Sequence, residues 1–506
     1  MIKYDGSIVQ FGFGAVGKSF FENVSKEIKY NENKYFVIER YAEEFDAYIN
    51  LGGMASGFIS CEITKDNFNM IFEKYLSSGD ILIDFADTVS STDLCDWCAE
   101  RNIMYINTGN ADWPEKWPNI YEQNKLLNDL KEKHQKNETT NRHPIVLQHG
   151  NNPGLVSHFV KAGIEFIVNT QHKRDRKLKT QIKENKFSEA AQALGIKMIH
   201  VNDIDLQQLK PPTDNESEAT NNILYNTWCI DTFLFELLTE ATFSIGTHEN
   251  YEFNDECKQI DRDRGFVELK TLSADKTART YYPGGVFEGF LVTHEETATI
   301  AKSLEVRQNG KTIYRPTVMF IYKPCASAAN YLKEAKVNNY PNPDPDKPQD
   351  CENEKGNTII RGYKYPQDAR IAYGDKISSG TEFVGVLLIG DIFQPVWIGN
   401  RVELPYLYRD KKTTYWQTPT ITPVAISALA AICWMINNKD TKGIFFPEDI
   451  IDYKYILKLA EKHISKTIYK SFCASVAESM SQTALMPAAA TAAAATSAGA
   501  SASERA

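Results

Sequence analysis

The chain has 506 residues, 42% of them hydrophobic and 24% charged, and a formal net charge of −10. That composition fits a globular protein of two or three domains and excludes a fibrous or largely disordered one; no apolar run is long enough to span a bilayer, so no membrane partner is expected. The acidic excess argues against nucleic acid as a partner and is compatible with a cationic small substrate.

The N-terminus, Met1 to Asp5, runs straight into a strand and leaves no room for a signal peptide, so a cytoplasmic location is expected. Residues 8–17 read Ile-Val-Gln-Phe-Gly-Phe-Gly-Ala-Val-Gly. An apolar strand thus ends in Gly12, Gly14 and Gly17 at G-x-G-x-x-G spacing, with Ala15 and Val16 opening a helix. Gly12 permits the tight turn, Gly14 lets the backbone approach a pyrophosphate, and Gly17 lets the helix pack closely on the strand. The free N–H groups of the helix start then face the phosphates. A second apolar run, Tyr35 to Ile38, ends in Glu39, about twenty residues further on. A carboxylate there accepts hydrogen bonds from the adenosine ribose and repels a 2′-phosphate, which favours NAD; Arg40 beside it keeps NADP open.

Strand-like runs continue at Phe58 to Glu62, Ile81 to Phe85, Met104 to Asn107 and Ile145 to Gln148, with helical patterns such as Asn67 to Leu76 and Thr92 to Arg101 between them. This alternation predicts an α/β unit over 1–150, a Rossmann-type doubly wound parallel sheet that binds NAD. Ligands of such sheets lie beyond the carboxyl ends of the strands, which makes Asp84, Asp87, Thr88, Asn107 and Thr108 candidates for the nicotinamide side. Lys125 to Arg142 is polar and reads as an exposed excursion. Cys95 and Cys98 sit in a helical pattern with no second pair, so they read as reduced structural thiols and no metal site is expected.

After His149 the texture changes. Asn152-Pro153-Gly154 breaks the chain and starts a helix to about Val168. Long β-branched and aromatic runs follow at Ile196 to Val201, Ile223 to Trp228, Gly289 to Thr293, Thr312 to Tyr322 and Phe383 to Ile389. Residues 151–418 are therefore expected to form a mixed α+β substrate domain. Asn338 to Asn357 reads as a surface loop. Pro419 to Asn438 and Asp449 to Ile468 read as helices, so that 419–470 is expected to pack back on the first domain. Residues 474–506, rich in Ala, Ser and Thr, have no apolar stripe and are expected to be disordered.

Four segments gather acids, a Trp and a His beside strands: His200 to Asp205, Asn226 to Glu236, Phe290 to Glu296 and Gly380 to Phe383. Each taken alone also fits a core aromatic, a solvated acid or a structural His. Converging on one cleft, they suit a cationic amine: carboxylates supply charge pairing and a Trp face supplies a cation–π contact.

Residues 5–470 resemble bacterial homospermidine synthases, a branch of the saccharopine-dehydrogenase-like enzymes. The resemblance rests on Val9 to Lys18, on Gly150-Asn151-Asn152-Pro153-Gly154-Leu155-Val156-Ser157-His158-Phe159-Val160-Lys161, on Asn226-Thr227-Trp228, on Gly289 to Glu296 and on Tyr314-Arg315-Pro316-Thr317. It implies NAD-dependent aminobutyl transfer: putrescine loses a hydride, a second putrescine displaces ammonia, and the Schiff base is reduced to homospermidine with NAD regenerated. It implies putrescine and related polyamines as ligands and a homodimer. By motif position, Trp228 takes the cation–π role, and Asn152, Asp203, Glu236, His294, Glu296 and Glu382 take the polar positions around the diamine. Asp203 stands where the family carries Glu, one methylene longer. Asp112, in Asn110-Ala111-Asp112-Trp113-Pro114-Glu115, stands in for an acid of the family's Glu-Pro-Trp segment. The alternative is a carboxynorspermidine- or saccharopine-type dehydrogenase, which needs a cationic clamp for an amino-acid carboxylate; Arg315 is the residue available for it.

Overall fold

The computed structural model describes residues 1–113, 120–136, 142–210, 223–249, 257–261, 265–337, 351–352, 358–408 and 414–473. The expected disordered tail, 474–506, and most of the expected loop at 338–357 lie outside the described residues.

The parallel, doubly wound sheet is present. Its seven strands lie in the spatial order Gly443–Phe445, Pro144–Val146, Met104–Asn107, Ile81–Asp84, Ile8–Phe11, Tyr35–Glu39 and Phe58–Ser60, all parallel. Every residue of Ile8–Phe11 and Ile81–Asp84 is buried, as a sheet covered by helices on both faces requires. Strand order reverses between these two, and their carboxyl ends open a crevice.

The second sheet has ten strands among the described residues and is mixed. Its spine is Ile196–Asp205, which pairs in parallel with Thr317–Lys323 and antiparallel with Thr381–Gly390. Val396–Glu403 and Ile468–Ser471 extend it antiparallel. Helix Leu155–Thr170 packs over this sheet. Helix Ile421–Asn437, apolar on almost every side and buried through Met435 except at Val424, packs on helix Ala15–Glu27. Gln417 Oε1 accepts from Ser19 Oγ (2.8 Å) and Asn23 Nδ2 (3.2 Å) at that contact.

Several elements differ from their sequence reading. The supposed excursion at Lys125 to Arg142 is mostly the end of helix Ile120–Lys136; residues 137–141 lie outside the described residues. Leu127, Leu130 and His134 are buried, a sparse apolar stripe hidden among charges. The run Thr312 to Tyr322 is two strands, Lys311–Tyr314 and Thr317–Lys323, because Pro316 has no N–H for a ladder. The strand from Ile223 stops at Asn226 and pairs with Asp368–Ile371 outside the large sheet, so Trp228 lies in the turn before helix Ile230–Leu237. Asp449 to Ile468 contains one helix, Tyr453–His463, and its last residue begins the strand Ile468–Ser471, whose side chains are too exposed to announce a sheet. This helix packs on Ile421–Asn437 and on Leu155–Thr170.

Candidate active site

A cavity of about 720 Å³ runs from the glycine-rich turn to the carboxyl end of the second sheet's spine. One end is formed by Gly12, Gly14, Ala15, Val16, Gly17, Glu39, Asp87, Thr88 and Thr108. Gly12 has φ +92°, a conformation open to glycine, and a Cβ there would lie 3.0 Å from the Phe85 backbone. A Cβ on Gly17 would stand 2.4 Å from the Gly12 carbonyl oxygen. A Cβ on Gly14, by contrast, meets nothing within 4 Å: the space above it is free. Gly14 is the N-cap of helix Ala15–Glu27 and offers no side-chain cap, so the first N–H groups of the helix face that space. This free cradle fits the pyrophosphate of a dinucleotide. Glu39 is buried; its Oε2 accepts from the Phe13 N–H at 2.6 Å and its Oε1 from the Tyr41 N–H at 3.0 Å. The residue expected to select the ribose thus also holds the glycine turn. Arg40 lies over the Tyr41 ring, 4.6 Å from its centroid.

Asp84 and Asn107 stabilise strand ends. Asp84 accepts from the Tyr105 hydroxyl (2.7 Å) and the Ala86 N–H (3.0 Å), and Asn107 Oδ1 accepts from the Gln148 N–H at 2.7 Å. Asp84 also lines the cavity; Asn107 does not.

The other end gathers Asn152, Asp203, Trp228, Glu236, His294 and Glu382. The spine strand supplies Asp203 and Asp205 on one face, since residues two apart in a strand point the same way. Register sets Tyr322 beside Asp203 and Glu382 beside Asp205. The Gly150–Gly154 loop, tied by Gly150 N–H to Pro153 O (2.7 Å), aims Asn152, whose Nδ2 donates to Asp203 Oδ2 at 2.8 Å. Gly154, at φ +133°, leaves no room for a side chain: a Cβ would lie 1.9 Å from Gly150 O. The Trp228 indole N–H donates to the Tyr322 hydroxyl at 2.9 Å, and its ring meets Phe233 edge-on at 6.0 Å. His294 opens helix Glu295–Ser303. Its ring stacks on Phe320 at 4.1 Å, its Nδ1 is hydrogen-bonded to Glu296, and its Nε2 lies 3.8 Å from Glu236 Oε1.

Of the residues named around the diamine, two stand off the cavity. Glu296 is fully buried behind His294. Asp112 is not in the lining; its Oδ1 accepts from the N–H of Trp113 at 2.9 Å. Glu295 takes a place nearer the centre: it lines the cavity and accepts from the Asn110 N–H at 3.1 Å. Tyr322, which also lines the cavity, was hidden inside an apolar run and is identified by its strand register with Asp203. His294, Glu295 and Glu296 bring donor atoms within 4.8 Å of one another, but His294 Nδ1 is taken by Glu296, which makes them an acid–base cluster.

Burial governs the charges. It pushes Asp203 up to about 7, against the Asn152 hydrogen bond and helped by Asp205. It pushes Asp205 to about 6 and Glu236 to about 8, and Glu382 well above the carboxylate range, with Asp203 and Asp205 adding repulsion. His294 moves the other way for its type: burial lowers it, but Glu296, Glu236 and Glu295 together raise it to about 10. Among the described lining residues the sole Lys or Arg is Arg40, beside Glu39 at the glycine end. Arg315 is buried elsewhere, its Nε donating to Ile245 O at 3.1 Å and its guanidinium facing Glu305 at 3.4 Å.

Comparison with known proteins finds relatives along most of the chain. The homospermidine synthase of Mesorhizobium japonicum is 26% identical over 481 residues, covering 91% of this chain and 89% of its own. That of Blastochloris viridis is 25% identical over 480 residues, covering 92% and 91%. The crystal structure of the homospermidine synthase of Legionella pneumophila, in complex with NAD, matches with a TM-score of 0.77 and 25% identity over 93% of this chain and 92% of its own. The apo saccharopine dehydrogenase (L-Glu forming) of Saccharomyces cerevisiae shares the fold, with a TM-score of 0.52 at 10% identity, covering 92% of this chain and 100% of its own. Two family models match almost end to end, the saccharopine dehydrogenase NADP binding domain over residues 8–141 and the saccharopine dehydrogenase C-terminal domain over residues 150–466. With both halves of its site built on those two regions, the chain belongs to the saccharopine dehydrogenase family.

Proposed function

We propose that the protein is an NAD-dependent homospermidine synthase, which joins two putrescine molecules into homospermidine and releases ammonia. The observation that carries this reading is the far end of the cavity: Trp228 and the carboxyls of Asp203, Glu236, Glu295 and Glu382 face it, and no Lys or Arg among the described lining residues does. A diamine presents a cation at each end and matches that lining. The near full-length similarity to homospermidine synthases supports it further.

The turn at Gly12, Gly14 and Gly17, the open helix start and Glu39 would hold the cofactor. Bound there, NAD supplies a hydride acceptor whose reduced form is a hydride donor. The chain's own residues do the rest. Trp228 takes an ammonium against its ring face, and Asp203 and Glu382 hold the remote ammonium and so orient the reacting carbon. An amine must be neutral before it can lose hydride, while in water it carries a proton. Glu236, raised to about 8, is tuned to take that proton near neutral pH. His294, kept charged by Glu296, stands beside Glu236 and favours its carboxylate form. The assembly proposed is a cytoplasmic homodimer.

A saccharopine-type dehydrogenase would need a cationic clamp for an α-carboxylate. Arg315 does not line the cavity and is occupied by Glu305 and Ile245, which disfavours that reading. The test is to incubate the protein with putrescine and a catalytic amount of NAD, and to follow ammonia, homospermidine by mass spectrometry, and nicotinamide absorbance. Homospermidine and ammonia without lasting NADH are expected. Stoichiometric NADH accumulation would show an ordinary dehydrogenase.

A further inference from the structure

Tyr322 is buried at the floor of the cavity, beside Asp203 on the neighbouring strand. Its hydroxyl oxygen accepts the Trp228 indole N–H at 2.9 Å, and its own O–H meets no acceptor among the described residues. A buried donor without a partner is costly, and here it borders the space assigned to the diamine. Burial, with Asp203 and Asp205 nearby, keeps the phenol protonated well beyond its ordinary range. The O–H of such a group cannot donate to an ammonium, which has no lone pair; of the nitrogens in the reaction it donates only to a neutral one. The indole N–H on its oxygen stabilises the charge that appears there if the proton leaves.

Resting on the synthase reading, we propose that Tyr322 is a catalytic residue, the proton shuttle of the exchange step. When the second putrescine, as a neutral amine, attacks the carbon of the protonated imine that hydride loss leaves, that carbon carries two nitrogens. The attacking nitrogen holds one proton too many and the departing one lacks a proton. Tyr322 gives its proton to the departing nitrogen and receives one from the attacking nitrogen. The carbon–nitrogen bond to ammonia breaks, a protonated carbon–nitrogen double bond to the incoming putrescine remains, ready to accept hydride, and the phenol ends as it began. No electrons are exchanged in this step. Trp228 then has a second task, holding the phenol oxygen at the reacting carbon.

The test compares Tyr322→Phe with the parent protein in rapid mixing with putrescine and NAD. The ring and its packing remain; the hydroxyl is lost. The variant is expected to form the transient NADH signal at close to the parent rate, then to hold it, with ammonia release slowed roughly 10²-fold, within the range of general acid–base catalysis. An unchanged NADH lifetime and unchanged ammonia release overturn the proposal. If the hydroxyl merely braces Trp228, Tyr322→Phe behaves as Trp228→Phe does, with a raised KM for putrescine and an unaltered NADH lifetime, and that too overturns it. Should Tyr322→Phe fail to fold, the parent enzyme decides: ammonia release slowed in deuterium oxide supports the shuttle, and release at an equal rate refutes it. A parent protein that makes no homospermidine refutes the synthase reading itself, and this proposal with it.

Discussion

Gly14→Val separates cofactor binding from folding. Position 14 has φ −68° and ψ −154°, which L-residues adopt, and a Cβ there meets no atom within 4 Å. Nothing in the free protein resists the added side chain, so the change in stability should stay within about 0.5 kcal/mol. The isopropyl group instead fills the space that a pyrophosphate needs. Losing two charge-assisted hydrogen bonds, at about 1.5–3 kcal/mol each, weakens NAD by roughly 3–6 kcal/mol, or about 10²- to 10⁴-fold. Gly17→Val gives the contrast. Its Cβ lies 2.4 Å from the Gly12 backbone carbonyl, so this variant should lose melting temperature with or without NAD. Isothermal titration with NAD and thermal melts of both variants are the assays. A Gly14→Val protein that is stable and binds NAD as the parent does would refute the assignment of the cradle. One that unfolds would refute the open space above Gly14.

Three further outcomes are expected. Glu39→Ala removes the acceptor of the Phe13 and Tyr41 N–H groups, and titration should show NAD weakened by about 1–3 kcal/mol; unchanged affinity would make Glu39 a purely structural acid. Trp228→Ala should lose most diamine turnover while Trp228→Phe keeps part of it, with cation–π binding of about 2 kcal/mol at stake; a folded, fully active Ala variant refutes the contact. Burial raises Asp205, Asp203 and Glu236 to about 6, 7 and 8, so the free protein holds their protons more tightly than the unfolded chain does. That stabilisation is present at acid pH and is lost as pH rises through about 8, whereas a bound diamine prefers the ionised forms. The melting temperature of the free protein should therefore fall from about pH 4, where the unfolded carboxyls ionise, to about pH 8, most steeply below about pH 6. The KM for putrescine should fall between about pH 6 and 8, where the folded carboxyls ionise, with proton release seen by calorimetry in two buffers, and Glu236→Gln should flatten the upper part of both profiles.

The nucleotide half was legible because its chemistry is local. Gly12, Gly14, Gly17 and Glu39 lie within one strand–helix–strand unit, and the positive φ of Gly12 and the closeness of Gly17 to the Gly12 carbonyl arise along that stretch. The substrate half is assembled from distant segments. Acids near strand ends could be named, but which of them meet depends on register: Glu382 reaches Asp205 only through a long antiparallel pairing, and Tyr322 reaches Asp203 only through a parallel one. Tyr322 was concealed because an apolar run discloses which residues are buried and not what they face. Asp112 was misjudged as a ligand because an acid beside a Trp reads the same whether it points to a cleft or bonds its own backbone neighbour. The helix Ile120–Lys136 escaped notice because Leu127 and Leu130 are few among its charges.

The last described segment adds a strand to each sheet: Gly443–Phe445 closes one edge of the first, and Ile468–Ser471 one edge of the second. The two layers are thus stitched by one thread that follows all their other strands in chain order. Until that thread is made, both sheets wait with a raw border exposed, and neither lobe can be finished before the chain has passed through the other. Cutting the chain at the junction between the two matched family regions would leave the nucleotide lobe without its outermost strand, so the lobes should fail as separate fragments and recover only when the missing thread is supplied.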